Sequence, residues 1–368
     1  MALFSVFRLK PEGPLHIGER GIGLEASGHI LHSDTLFSAL CSTWRLMDRL
    51  RINGTETIYE HGRLQFSLKD PPFRISSAFP FISTPNVADV YFFPRPLSFR
   101  PGGPTEDAVI SLTKNSNQRL ATRSKAVKWV QVVSDGVLRS LIKGSSNKEA
   151  LAMLNEGKVL LKQEEIERAM LTSSSRLWVA GHEAVRPRVT VDRLSSRSEL
   201  WFLGNIYFAH NMGLHFLFAG DEQSRQAVEE ALMILQDEGI GGERTYGFGR
   251  FQLLPDSQIS FDDTPSNSHL CLSLYHPIDG QEAQRALSNT ARARVITRLG
   301  YFYSPDGATL RRRPVRMISE GSILAAAAKG DVVSVEPTAV PGSGQFSHPV
   351  YRYGLAFTVA GKFLSEQE

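Results

Sequence analysis

Residues 239 to 253 read GIGGERTYGFGRFQL, with Gly239, Gly241, Gly242, Gly247 and Gly249 set around Arg244, Tyr246, Phe248 and Arg250. The preceding stretch, DEQSRQAVEEALMILQDEG, places Val228, Ala231, Leu232 and Leu235 at the i, i+3, i+4, i+7 spacing of one helical face. The following GFGRFQLL opens a strand. A glycine loop with a helix before it and a strand after it has the opposite polarity to a Rossmann site or a P-loop. In those, the glycines leave a strand and open a helix whose N-terminus meets the phosphate. The stretch also lacks GK[ST] and the G-x-G-x-x-G spacing. A mononucleotide cradle of those kinds is therefore disfavoured. One glycine suffices to cap the helix. The surplus suits a polymer backbone passing close to main-chain N–H groups, with Arg244 and Arg250 supplying charge. A plain flexible turn is the alternative.

Around this loop the chain reads as an ordered series of elements. LFSVFRL is a first strand, and SDTLFSALCSTWRLMDRL a helix with Leu36, Phe37, Leu40, Trp44 and Met47 on one face and Ser33 or Asp34 to cap it. A strand region from RLQFSLKD to ISSAFPFIS leads to the proline-rich loop YFFPRPLSFRPGGP. Residues 115 to 175 read as a loosely organised helical insertion, with NKEALAML and QEEIERAML as its clearest pieces. GHEAVRPRVTVDRLSSRSELWFLGNIYFA predicts a β-hairpin with a basic tip, and GLHFLFAG the strand before the long helix. Residues 1 to about 255 thus follow β-α-β, insertions, β-α-β, the ferredoxin-like order. After the linker PDSQISFDDTPSNS, a second set runs from HLCLSLYH through GQEAQRALS and ARVITRLGYFYS to VYRYGLAFTVAG. In that last strand Tyr351, Tyr353, Leu355, Phe357 and Val359 alternate, which predicts burial of one face. The expected fold class is α+β: two ferredoxin-like domains, 1–256 and 257–368, the first with insertions over 94–175 and the hairpin over 182–202.

The 368 residues are 42% apolar without a run of about 20 that would cross a membrane, and the N-terminus lacks the order of a secretory signal, so a cytoplasmic protein without membrane attachment is expected. Only Cys41 and Cys271 occur, which suggests buried thiols rather than a disulfide framework or a metal site. No metal or cofactor spacing is apparent. Net charge is +3, but from Arg292 to Arg316 seven arginines meet a single acid, Asp306, a local +6 and a candidate anion-binding patch. Arginines outnumber lysines 30 to 11, which favours bidentate phosphate contacts or else reflects codon usage.

GIGGERTYGFGRF fits the form G-x-G-G-x-R-x-x-G-x-G, and by that loop the sequence resembles the RAMP superfamily of CRISPR-associated RNA-binding proteins. GPLHIGE followed by HSDTLFSALCSTW resembles the family's opening strand-loop-helix. RPRVTVDRLSSRSELWFLGNIYF is similar to its thumb hairpin, and RRRPVRMISEGSIL to its second-domain segment ending in EGS. The order of these motifs most resembles the type III-A (Csm) subunit that caps an effector complex at the crRNA 5′ handle. That resemblance implies a noncatalytic role: gripping the handle, contacting the large polymerase-like subunit and the adjacent backbone RAMP subunit, and meeting target RNA indirectly. The thumb would break the guide–target duplex at the handle boundary.

On this reading the RNA contacts are Arg244, Thr245, Tyr246, Gly247, Phe248, Gly249 and Arg250 of the loop, with backbone groups at Gly247 and Gly249 meeting phosphate. Arg186, Arg188 and Arg193 of the hairpin, Arg311, Arg312 and Arg313, His16 and Ser33 complete the set, with Val189 and Val191 as a wedge between bases. Tyr246 and Phe248 are the stacking candidates, although Phe248 opens a strand and suits a core as well. His16 and His32 also suit the acid–base chemistry of RAMP-fold crRNA-processing endoribonucleases, but neither has a sequence-evident catalytic partner. Asp34 resembles the target-cleaving aspartate of the backbone subunits, yet first of all suits a helix cap. The alternatives to the handle-binding reading are a metal-independent pre-crRNA endoribonuclease, the equivalent type III-B capping subunit, and a scaffold that binds only protein.

Overall fold

A computed structural model describes residues 2–18, 27–28, 30–47, 50–52, 56–58, 67–84, 88–99, 109–111, 130–144, 151–154, 158–169, 181–262, 266–301, 311–336 and 350–363. Expectations that fall on 100–108, 112–129 and 302–310 lie outside them.

The opening strand Ala2–Pro11 is flanked on both sides. It runs antiparallel to Met212–Gly220 and to Phe251–Phe261. Phe79–Ile82 and Phe73–Ile75 then pair the far side of Met212–Gly220. The sheet order Phe251–Phe261, Ala2–Pro11, Met212–Gly220, Phe79–Ile82 puts the first strand of each β-α-β half in the centre and the second at the flank. Strand alternation then sends Phe7, Leu9, Leu214, Phe216 and Phe218 to one face, where Leu36, Phe37, Leu40 and Trp44 of helix Ser33–Leu46 meet Val228, Ala231, Leu232 and Leu235 of helix Glu222–Glu238. The Trp44 indole N–H donates to the Ala227 carbonyl at 3.0 Å and ties the two helices together. On the opposite face Val6, Leu217, Ile259 and Phe261 pack against Leu270, Leu272, Ile323, Phe357 and Val359 from the last third of the chain. The sheet is thus covered on both sides, a sheet-rich α+β body.

One expectation is corrected here and another extended. The described residues of the 94–175 segment are not mainly helical: they add Val109–Ser111, Val132–Ser134, Leu151–Leu154 and Val159–Lys162 to the same sheet, with the short helix Asp135–Ile142 after the second of these strands and Gln163–Arg168 after the last. NKEALAML has helix-forming composition, but its Leu151–Leu154 half pairs with Val159–Lys162, and sheet pairing overrides a weak local preference. The closing strand buries the expected face, with Tyr353, Leu355, Phe357 and Val359 enclosed, and part of the other face besides. It breaks into Tyr351–Leu355 and Thr358–Ala360, and Arg352 is as enclosed as Tyr353. Its arginine has a partner inside, described below.

The last third is built of short pairings. His269–Cys271 pairs with Ile323–Leu324 and Thr358–Ala360, Val295–Arg298 with Val315–Ile318, and Gly330–Ser334 with Tyr351–Leu355. No helix among the described residues is long and apolar enough to cross a membrane.

Candidate nucleic-acid interface

The glycine loop begins where helix Glu222–Glu238 ends. Asp221 caps the helix start by accepting the Ser224 N–H at 2.7 Å, and Gly239 leaves its end at φ +82° with its own N–H still bonded to the Leu235 carbonyl. The chain then folds back on itself. Ile240 N–H donates to the Gly249 carbonyl (3.0 Å), Gly249 N–H to Pro14 (2.9 Å) and Gly242 N–H to His16 (2.9 Å). A Cβ on Gly239 would lie 2.4 Å from the Phe248 carbonyl oxygen, and one on Gly249 only 2.0 Å from that of Ile240. Most of the surplus glycines therefore serve the close passage of the protein's own backbone, not that of a ligand. Gly247 alone in this loop has a left-handed φ, +78°, and open space where a Cβ would be.

This geometry corrects the expectation that the backbone N–H groups of Gly247 and Gly249 receive phosphate. Gly249 N–H is held by Pro14, and Gly247 N–H by the Arg244 carbonyl at 2.9 Å, closing the 3₁₀ turn Arg244–Tyr246. What the turn offers outward is side chains. Thr245, Tyr246 and Arg250 are exposed and Arg244 is half-buried. Arg250 shares its charge with Asp237 at 3.3 Å, whereas no carboxylate pairs with Arg244 among the described residues.

The predicted hairpin is present as His182–Val191 paired with Ser198–Tyr207 through ten opposed positions. It forms a two-stranded sheet of its own. Alternation divides it into two faces. Arg186, Arg188 and Thr190 share one, with the Arg186 guanidinium 5.1 Å from the Tyr207 ring and the Trp201 indole N–H donating to Thr190 at 3.0 Å. Arg188 reaches the glycine loop: its guanidinium lies 5.0 Å from the ring centre of Tyr246 and 5.6 Å from that of Phe248. Tyr246 is 60% exposed, whereas Phe248 is 5% exposed and packs beneath Arg188, the core position that its place at the start of a strand suits. Val189 and Val191 point to the other face, each 58% exposed, and Arg193 lies at the exposed tip.

Other sequence candidates lie elsewhere. His16 is buried under the loop, its Nδ1–H donating to the Gly204 carbonyl at 2.7 Å, because a carbonyl can only accept. It joins the opening loop, the glycine loop and the hairpin base, a buried position for a residue expected to contact RNA. Ser33, also expected to contact RNA, lies inside. It is fully buried, its Oγ accepts the Leu274 N–H at 3.0 Å, and its own N–H donates to Ser77 at 2.8 Å. The triple arginine splits: Arg311 and Arg313 are exposed, whereas Arg312 turns in to Ser38 at 2.9 Å and burial lowers its pKa to about 10.

Neither Ser33 nor Asp34 caps the first helix. His32 holds the cap position without a side-chain cap bond, and Asp34 is buried between Arg298, which donates through Nε and Nη2 at 3.0 Å each, and Arg352. Burial alone would raise the Asp34 pKa, but the Arg298 and Arg352 charges override it and hold the carboxyl well below the usual range. Glu320 of the EGS segment is buried beside this lock. It bonds His32 Nδ1 at 2.8 Å and the Ser77 hydroxyl, and Gly321 passes so close to the Arg95 carbonyl that a Cβ would come within 2.6 Å. Sequence reasoning missed Arg298, Arg352 and Glu320 as a group. The only available signal was charge at otherwise core-like positions.

A model of the RAMP superfamily matches residues 8–252, and a model described as the CRISPR Csm4 C-terminal domain matches residues 264–360. A protein of Thermococcus onnurineus named CRISPR system Cms protein Csm4 is 28% identical over 289 residues, 77% of this chain and 78% of that one. A Mycobacterium tuberculosis protein of the same name is 25% identical over 351 residues, 94% of each. Among solved structures, a Csm3–Csm4 subcomplex of a type III-A CRISPR-Cas interference complex matches with a TM-score of 0.55 at 15% identity, over 96% of this chain and 98% of that one. A Csm1–Csm4 cassette in complex with cA4 matches with a TM-score of 0.53 at 20% identity, over the whole of both chains. At these identities the structural likeness speaks for the fold alone.

Proposed function

The chain belongs to the RAMP superfamily, and from that premise we propose that it is the crRNA 5′-handle-binding capping subunit of a type III-A interference complex. The relatives named Csm4 support this placement, over 77% of the chain in one case and 94% in the other. Solved complexes of such proteins with Csm1 and with Csm3 support the large subunit and the backbone RAMP subunit as its partners. In this reading residues 1–256 form one ferredoxin-like domain, which the flank-centre-centre-flank strand order supports, and 257–368 a degenerate second one. The hairpin is the thumb, with Val189 and Val191 as the exposed wedge at the guide–target boundary.

The observation that carries the reading is the junction of hairpin and glycine loop. Two elements distant in sequence bring Arg188 and the Arg244–Tyr246 turn together, with no carboxylate pairing either arginine among the described residues and an aromatic ring mostly open to solvent. Arginine forks bind phosphate, and an exposed ring held from behind by a guanidinium stacks on an unpaired base. The role proposed is binding without catalysis. Supporting it, His16 is buried with its Nδ1 committed to Gly204, His32 is tied to Glu320, and Asp34 is locked by two arginines.

Competition binding with handle-bearing and handle-less RNA of equal length tests this. The purified protein, alone or with the large subunit, prefers the handle, and Arg188→Ala with Arg244→Ala removes the preference. Equal binding of both RNAs together with failure to join the large subunit would sink the proposal. Specific cleavage of repeat RNA in EDTA, abolished by His16→Ala or His32→Ala, would favour the endoribonuclease reading instead.

A further inference from the structure

The arginine-rich segments 292–298 and 311–316 come together as an antiparallel ribbon, Val295–Arg298 against Val315–Ile318, continued by the bridge between Tyr301 and Arg311. Alternation sorts its residues. Arg298 turns inward to Asp34, while Val295, Thr297, Leu299 and Tyr301 face outward, with Arg316 opposite Thr297. Of the seven arginines noted in the sequence, Arg298 and Arg312 are thus spent inside, and Arg292, Arg294, Arg311, Arg313 and Arg316 are exposed. Among the described residues, Arg292, Arg294, Arg311 and Arg313 bond only neutral oxygens. Arg292 reaches the carbonyls of Asn289, Thr290 and Ala291, Arg294 the Ser319 hydroxyl at 2.9 Å, and Arg313 the Ser334 carbonyl at 3.3 Å. Arg311 donates to the Tyr301 hydroxyl at 2.9 Å and lies 5.2 Å from its ring centre. Among the described residues no carboxylate neutralises any of the five.

We propose that this ribbon is a second binding surface for single-stranded RNA, separate from the glycine loop, with Arg311, Arg313 and Arg316 taking phosphates and Tyr301 a base. The inference rests on the reading of the chain as an RNA-binding subunit. Unneutralised arginines interleaved with an exposed aromatic ring are what a sequence-tolerant single-strand site needs: charge along the backbone and a face on which bases stack. Tyr301 is 47% exposed, and the Arg311 guanidinium braces its ring. A protein partner would instead have to bring several carboxylates to match five guanidiniums that no described carboxylate pairs, or leave them buried without a counter-charge.

Fluorescence anisotropy of the full-length protein with handle-bearing single-stranded RNA, measured across a salt series, tests the inference. Replacing Arg311, Arg313 and Arg316 together by Gln removes exposed groups only, and is expected to lower the slope of log affinity against log salt by about 2, at roughly 0.7 for each phosphate contact. Tyr301→Ala is expected to weaken binding roughly tenfold with the slope unchanged. If Arg244→Ala weakens binding while the triple variant keeps both affinity and slope, the ribbon inference is overturned and handle binding by the loop stands. If the unmodified protein fails to bind, both fall. If the triple variant keeps RNA but no longer captures the large subunit, the ribbon is a protein-docking surface and the inference is overturned.

Discussion

Replacing Gly249 by Ala should damage this protein far more than the same change at Gly247, two residues away. Both glycines have left-handed φ, +76° and +78°, so each substitution carries about 1–2 kcal/mol of backbone strain. At Gly247 nothing else is disturbed, because no atom lies within 4 Å of the added methyl. At Gly249 the methyl would be 2.0 Å from the Ile240 carbonyl, so the loop must part. Parting it breaks the bond from Ile240 N–H to the Gly249 carbonyl and the bond from Gly249 N–H to Pro14, about 1 kcal/mol each. The expected losses are about 1–2 kcal/mol for Gly247→Ala and about 3–4 kcal/mol for Gly249→Ala. Urea unfolding of the two variants side by side, with equal m-values, measures the difference. Equal midpoints would refute the claim that these glycines serve internal backbone crossings, and would return the loop to a cradle kept open for its ligand.

The remaining expectations concern the junction, the buried lock and the hairpin. Arg188→Ala should weaken handle-RNA binding and lower its salt slope by about 0.7, and Tyr246→Ala should weaken it roughly tenfold with little change in slope, both read by anisotropy. Asp34→Asn leaves Arg298 and Arg352 buried without a counter-charge and should cost about 3–5 kcal/mol in denaturant unfolding. Because the Asp34 pKa is held below its ordinary 3.8 in the folded chain, its contribution is complete at neutral pH and drains away as pH falls through and below that value. The fall should be shallower in Asp34→Asn, as unfolding midpoints across acidic pH will tell. Val189→Ser with Val191→Ser should leave stability within about 0.5 kcal/mol, since both side chains are exposed. A fluorescent base at the handle boundary should nevertheless report extra guide–target pairing.

Sequence alone carried the β-α-β halves, the hairpin and the position of the glycine loop, because each rests on a local pattern: helical spacing at Val228 to Leu235, alternation about Val189, glycines after a helix. It did not carry the partition of charge. Seven arginines between 292 and 316 look alike in the sequence, and the pairing of Thr297 with Arg316 and of Arg298 with Val315 decides which of Arg298 and Arg316 turns inward. The partner that draws Arg298 in is Asp34, more than 260 residues away, so no window of sequence holds both. The burial of His16 and Ser33 was hidden for the same reason: their partners, Gly204 and Leu274, lie in elements that meet them only after folding. The strands inside the 94–175 segment were hidden by brevity, since VVS and VLL are apolar runs too short to distinguish strand from helix by period.

The most direct test is photo-crosslinking of handle RNA carrying 4-thiouridine in the assembled complex, with the attached peptides mapped by mass spectrometry. Handle nucleotides are predicted to attach to this chain within 186–193 and 244–250, above all at Tyr246, and to lose those attachments in Arg188→Ala. Handle crosslinks confined to other subunits, with this chain present and unlabelled, would contradict the account.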